Sequence, residues 1–150
     1  MATVEPFSHT MIETFLRSQN LRFLRDEDND FLVQFSYDPD CACELNFYLT
    51  AQGEQREIYG LLCSSDQRFG RDRWEQALAL CNDWNRERRW PKSFVRSRER
   101  NGVEQLEICL DMYIDLEPGI HPELFRQLTM TFIGASFSFW RWLHQEKHFY

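Results

Sequence analysis

The stretch Asp72–Pro91, DRWEQALALCNDWNRERRWP, decides how the chain is read, because both of its ends are marked. Asp72 and Glu75 make a D-x-x-E start, in which one carboxylate caps free backbone N–H groups and the other reaches back. Pro91 forces Trp90 out of helical geometry and ends the run. Between them Trp74, Ala77, Leu78, Cys81 and Trp84 recur at three- and four-residue spacing, which puts them on one face. The spacing predicts a framework helix over 72–90. Asn82 and Asn85 sit beside that face although asparagine is a poor helix former, and each predicts a hydrogen bond to a loop or a strand edge.

Outward from this helix the pattern changes period. Upstream, Thr10 and Glu13 make a second capping box, and Met11, Ile12, Phe15 and Leu16 predict a helix over 10–20. Strand-like runs follow at 21–25, 31–37, 44–50 and 57–63, with Phe31, Val33 and Phe35, then Leu45, Phe47 and Leu49, in alternation. The acidic turn Asp26–Asp30 and the turn through Gly53 are short, so these strands form an antiparallel meander. Downstream, Asn101-Gly102 is the preferred pair for a two-residue type I′ turn, because both positions need positive φ. Pairing outward from it sets Arg100 opposite Val103, Arg98 opposite Gln105, Arg96 opposite Glu107 and Lys92 opposite Asp111. In the second strand Leu106, Ile108, Leu110, Met112 and Ile114 point inward, and Glu107, Cys109, Asp111, Tyr113 and Asp115 outward. A helix capped by His121, with Pro122 in its first turn, runs from there to about Lys147.

Helix, meander, helix, hairpin and long C-terminal helix together predict an α+β layered domain with helices on one side of an antiparallel sheet. No linker divides the 150 residues, so 1–150 reads as a single domain with a loose tail at 1–7. Such a chain buries roughly 70% of its unfolded surface. Aromatics make up 15%, and that much ring surface needs a dense core or a partner. The longest uncharged stretch, Gln127 to Trp140, is too short for a bilayer, which needs about 20 residues. Residues Met1 to Phe7 do not read as a secretory signal. Cys41, Cys43, Cys63, Cys81 and Cys109 are an odd number at irregular spacing, which fits reduced thiols in the cytoplasm.

The run Cys81-Asn82-Asp83-Trp84-Asn85, then Trp90-Pro91-Lys92, then Gly102 before an apolar strand and a Phe/Trp-rich last helix, resembles the YbjN-type family. These are bacterial proteins labelled sensory-transduction regulators, and this chain looks similar to cyanobacterial members from about Ser8 to Leu143. The resemblance implies a fold like that of type III secretion chaperones, which dimerise and hold partner segments. It supplies no catalytic residues to carry over.

Enzyme chemistry has few candidates. Cys41, Cys43, His144 and His148 would count four metal ligands, but a C-x-C in a strand is not a C-x-x-C knuckle, and Gln145 breaks H-E-x-x-H. His9, His121, His144 and His148 all lie near helix ends, where capping and the helix dipole account for them. No Gly-rich phosphate loop appears. No catalytic residue, cofactor or metal is therefore expected.

Charge is unevenly spread. Residues 68–100 hold ten of the seventeen Lys and Arg but only five of the 24 acids, in a chain of net charge −7. Arg86, Arg88, Arg89, Arg96, Arg98 and Arg100 are the candidate surface for an anionic ligand or nucleic acid. Cross-hairpin neutralisation and the overall negative charge weigh against nucleic acid. On the last helix, Leu124, Leu128, Phe132, Ala135, Phe139 and Trp142 form one stripe, and Phe125, Ile133, Phe137, Trp140 and Leu143 a second. Two stripes exceed what one sheet face covers. Phe132, Ile133, Phe137, Phe139, Trp140 and Leu143 are thus expected to form a homodimer or partner interface. The leading expectation is a non-enzymatic, chaperone- or adaptor-like module that binds a protein or peptide and no membrane.

Overall fold

Asn101 and Gly102 both adopt positive φ, 54° and 76°, and the turn they make fixes the register of the hairpin on either side. In the computed structural model, which describes residues 3–149, that hairpin joins β5 (Lys92–Arg100) to β6 (Val103–Asp115). Arg100 pairs with Val103, Arg96 with Glu107 and Lys92 with Asp111, as the sequence predicts. The remaining elements are α1 (His9–Ser18), β1 (Leu24–Arg25), β2 (Phe31–Asp38), β3 (Cys43–Gln52), β4 (Ile58–Ser65), α2 (Trp74–Glu87) and α3 (Pro122–Arg141). The strands form one antiparallel sheet in the order β1-β2-β3-β4-β6-β5. β5 is therefore an edge.

The two faces of the sheet differ. The row Val33, Phe47, Cys63, Leu110 and Ser93 lies under the helices. There α3 crosses the middle, with Phe132 against Phe47 and Phe125 stacked on Tyr59, ring centroids 4.7 Å apart. α1 flanks it through Phe15, and α2 through Trp84, whose ring meets Phe139 and Trp142. The opposite row, Leu32, Tyr48, Leu62, Asp111 and Lys92, carries no helix.

Several local expectations are corrected. Ser8, not Thr10, caps α1, its Oγ accepting from the Met11 N–H at 3.4 Å. Asp72 lies inside a 3-10 turn, Arg71–Arg73, and no side chain caps α2. That helix also stops earlier than Trp90, because Arg88 is already extended. On α2 the buried set is Ala77, Leu80, Cys81 and Trp84; Leu78 is 41% exposed and Trp74 half-buried. The tail is not loose from Glu5 onward: Glu5 pairs with Ile120 by two backbone hydrogen bonds, and Phe7 packs on Tyr59. Met1 and Ala2 lie outside the described residues.

α3 requires the largest correction. Apart from exposed Leu124, its two apolar stripes are the flanks of one wide face turned to the core, whose midline is polar. Thr129 and Ser136 occupy that midline, fully buried, each hydroxyl donating to the carbonyl four residues back. Thr129 also meets the Tyr59 hydroxyl at 2.8 Å. The polar letters divide the pattern in two, but their hydrogen bonds let the whole width be buried. Phe132, Ile133, Phe139, Trp140 and Leu143 are buried within the chain itself, and Phe137 is half-buried against Phe35. The expected interface patch on this helix is therefore absent. A π turn, Trp142–Glu146, continues α3.

Candidate functional site

The chemistry of the exposed surface is concentrated on the helix-free face at β5 and β6. Glu107 points away from the helices as predicted, yet its side chain is only 2% exposed. Three guanidinium groups cover it: Arg96 at 3.4 Å, Arg98 at 3.6 Å and Arg68 at 3.8 Å. Arg96 and Arg98 reach it because strand alternation places them on its face, one directly opposite and one diagonal. Arg68 arrives from the segment beyond β4, held where Phe69 bridges Leu106. Two rungs along, Lys92 covers Asp111 at 3.2 Å. The expected outward residues Glu107, Cys109 and Asp111 thus face outward but are buried, the two carboxylates under cations and Cys109 opposite Phe94. Three arginines on one carboxylate leave a local excess of positive charge at the β5 end of this face.

The other predicted cations are not gathered with these. Arg86 is spent on Asp83 and Glu87, at 3.5 and 3.3 Å. Arg88 lies over the Trp84 ring, 5.0 Å from its centroid. They and exposed Arg89 sit at the end of α2 on the helix-bearing side, so a continuous track over Arg86, Arg88, Arg89, Arg96, Arg98 and Arg100 does not form. Trp90 is 48% exposed and lines a cleft of about 360 Å³ with Trp84, Arg88 and Arg89.

The two amides part company. Asn85 bonds the strand edge: its Nδ2 donates to the Ser93 carbonyl at 3.1 Å, and its Oδ1 accepts from the Ser93 N–H at 2.9 Å and Oγ at 3.1 Å. Asn82 is exposed.

The metal candidates stay apart. Cys41 and Cys43 are buried, and they are not brought with His144 and His148 into any cluster of three ligands. All five thiols are free and buried, and burial raises each: Cys41 and Cys81 to about 11, Cys109 to about 12 with the Glu107 charge contributing, and Cys43 and Cys63 also upward. At neutral pH they are thiols and poor nucleophiles. His121 caps α3 through Nδ1, which accepts from the Leu124 N–H at 3.2 Å. Among the described residues, the acidic set that does converge is Asp26, Asp28 and Asp30, whose D-x-D-x-D spacing was visible in the sequence. Asp26 Oδ1 accepts from the backbone N–H of both Asp28 and Asp30, each at 2.9 Å, so a turn accounts for the grouping. A cleft of about 510 Å³ lies between α1 and the start of α3, with Met11, Phe15 and Phe125 in its lining.

These features define a class: an α+β domain with three helices on one sheet face, a charged open face opposite, and no convergent catalytic set among the described residues. The sequence model of the YbjN family, "Putative bacterial sensory transduction regulator", matches residues 8–145. The chain belongs to that family. Among solved structures it is similar to YbjN from E. coli, described as "a putative transcription regulator", with a TM-score of 0.71 over 97% of this chain and 96% of that one. Identity is 9%, so this likeness shows the fold. No curated protein matches significantly. No described helix is long and apolar enough to cross a membrane.

Proposed function

We propose that the chain is a cytoplasmic, non-enzymatic regulatory module of YbjN type, chaperone- or adaptor-like, that acts as a homodimer and holds a protein or peptide partner. The observation that carries partner binding is the helix-free face: a sheet edge beside a cluster of arginines that outnumber the carboxylate they cover. Protonated, buried thiols and a histidine used as a helix cap support the non-enzymatic part. Family membership supports the regulatory part.

Selection from a random peptide display library tests partner binding, and failure to enrich any sequence sinks it. Light scattering across a concentration series tests the dimer. Twice the chain mass of 18.2 kDa is expected, and a single chain mass at every concentration removes the dimer while leaving partner binding. The convergence of Arg68, Arg96 and Arg98 also favours a second reading, in which this face contacts an anionic ligand or nucleic acid. Binding of a single-stranded oligonucleotide that collapses with salt and with Arg98→Glu is the outcome it requires.

A further inference from the structure

β5 ends the sheet, so among the described residues no strand lies along one side of its backbone. Register decides which groups face that side. Arg100 and Val103 flank a two-residue turn, and such a pair exchanges both of its hydrogen bonds across the hairpin. Arg98, Arg96 and Phe94 then also bond β6, whereas Glu99, Ser97, Val95 and Ser93 turn their N–H and C=O outward. Ser93 corroborates the parity, because its N–H and C=O are the groups that Asn85 takes up. The Asn85 amide stands in for one residue of a neighbouring strand and closes the edge at that point. Among the described residues, no hydrogen bond outside the hairpin ladder reaches the backbone of Val95, Ser97 or Glu99. Ser97 and Glu99 are exposed and Val95 is half-buried.

Charge selects the occupant. Two copies joined β5 to β5 about Ser97 would set Arg96 of one beside Arg98 of the other, and like charges directly opposite are destabilising. An acidic strand meets the reverse situation, since every second side chain would lie beside Arg96, Arg98 or Arg100. On the helix-bearing side it would pass Val95, Ser97 and Glu99, where uncharged residues fit. We propose that the Val95–Glu99 edge captures an extended acidic polypeptide segment as an added strand, with carboxylates at alternate positions on the arginine face. Main-chain hydrogen bonds would supply affinity and the arginines specificity. The proposal rests on the reading that this module binds a polypeptide, and it names where and of what chemistry.

The probe is a fluorescein-labelled octapeptide alternating threonine and glutamate, followed by anisotropy, with a threonine–lysine peptide as control. Binding of the first and not the second is expected, weakened by salt and by Arg98→Glu. Ser97→Pro removes one outward N–H without touching the β6 ladder, and should weaken binding at least about fivefold, the worth of one hydrogen bond. A third arm leaves the protein intact. N-methylating the threonine amides abolishes binding if the added strand runs antiparallel, and N-methylating the glutamate amides abolishes it if parallel. Loss with one set and not the other supports the proposal; equal effects from both overturn it. Slow amide exchange at Ser97 and Glu99 in the free protein would also overturn it, because the edge would already be covered. If library-selected peptides bind equally well to Ser97→Pro, the edge is refuted while the interaction module stands. If an oligonucleotide displaces the peptide and is itself insensitive to Ser97→Pro, the arginines serve nucleic acid and the edge is again refuted.

Discussion

Truncating Asn85 and Asn82 separately gives a matched pair that tests how α2 is held to the sheet. Both replace asparagine with alanine on an exposed stretch of one helix, so the intrinsic gain in helix propensity, roughly 0.5 kcal/mol, is common to both. Only Asn85→Ala removes hydrogen bonds. Ser93 is 3% exposed, and the change strips partners from its N–H and C=O. At about 1 kcal/mol net for each bond, that is about 2 kcal/mol. The Ser93 hydroxyl still donates to the Cys81 carbonyl at 3.0 Å, so its lost contact adds little. Subtracting the propensity gain leaves a net loss of about 1.5 kcal/mol if water reaches Ser93, rising to ~3 kcal/mol if the site stays dry. Asn85 lies at the surface, which favours the lower figure. Urea unfolding with a shared m-value reads the difference. In heat the same loss lowers Tm by roughly 3–6 °C for a chain of this length. Asn82→Ala should be neutral or slightly stabilising. If the two variants agree within about 0.5 kcal/mol, the edge closure at Ser93 contributes nothing and the parity argument for β5 loses its best support.

Three further changes probe other parts of the molecule. Glu107→Gln leaves Arg68, Arg96 and Arg98 without their counter-charge; breaking a buried pair costs about 3–5 kcal/mol, and because Arg98 is already 60% exposed and can turn to water, a loss of about 2 kcal/mol in urea unfolding is expected. An unchanged midpoint would mean the carboxylate does not organise the cluster. Asp30 tests linkage: burial, then the Asp26 charge, holds its carboxyl above the ordinary value of 3.8, so the folded state binds that proton more tightly than the unfolded state. Stability then falls as pH rises from 3.8 through the raised value, and Asp30→Asn should flatten that slope and be the more stable protein at neutral pH. A wild-type curve without that slope refutes the shift. Phe139→Glu places a charge among Trp84, Trp140 and Trp142 at a fully buried site, and should cost at least about 4 kcal/mol, read as loss of near-ultraviolet circular dichroism. A folded variant of altered mass would instead return α3 to the role of interface.

What the letters disclosed depended on whether a local rule outweighed its surroundings. Asn101-Gly102 leaves the backbone one comfortable turn, so every pairing from Arg100–Val103 to Lys92–Asp111 follows from two residues. Asn85 was legible as the partner of a strand edge because an amide beside a helix's buried face has few other uses. The start of α2 was not legible. D-x-x-E at Asp72 and Glu75 describes a cap only if Asp72 precedes the helix, and the chain winds a 3-10 turn through it first. The breadth of the buried face of α3 was hidden because a hydrophobic pattern counts Thr129 and Ser136 as solvent-facing, while their hydroxyls are satisfied inside the helix and against Tyr59.

The same limit governs the candidate site. Alternation told which way Glu107 points but not how deeply it lies, because depth is set by what leans over a residue. Arg96 and Arg98 come from the neighbouring strand and could be placed by register. Arg68 comes from thirty-nine positions upstream, delivered by the Phe69–Leu106 bridge that no local pattern announces. With two arginines the carboxylate would sit under a modest excess of charge. The third makes the face a stronger attractor for acid, and it is the one only the fold could supply. Arg68→Ala should therefore reduce capture of the glutamate peptide while leaving the β5–β6 ladder unchanged. Unaltered affinity would show that β5's own arginines suffice, and that the convergence on Glu107 serves stability alone.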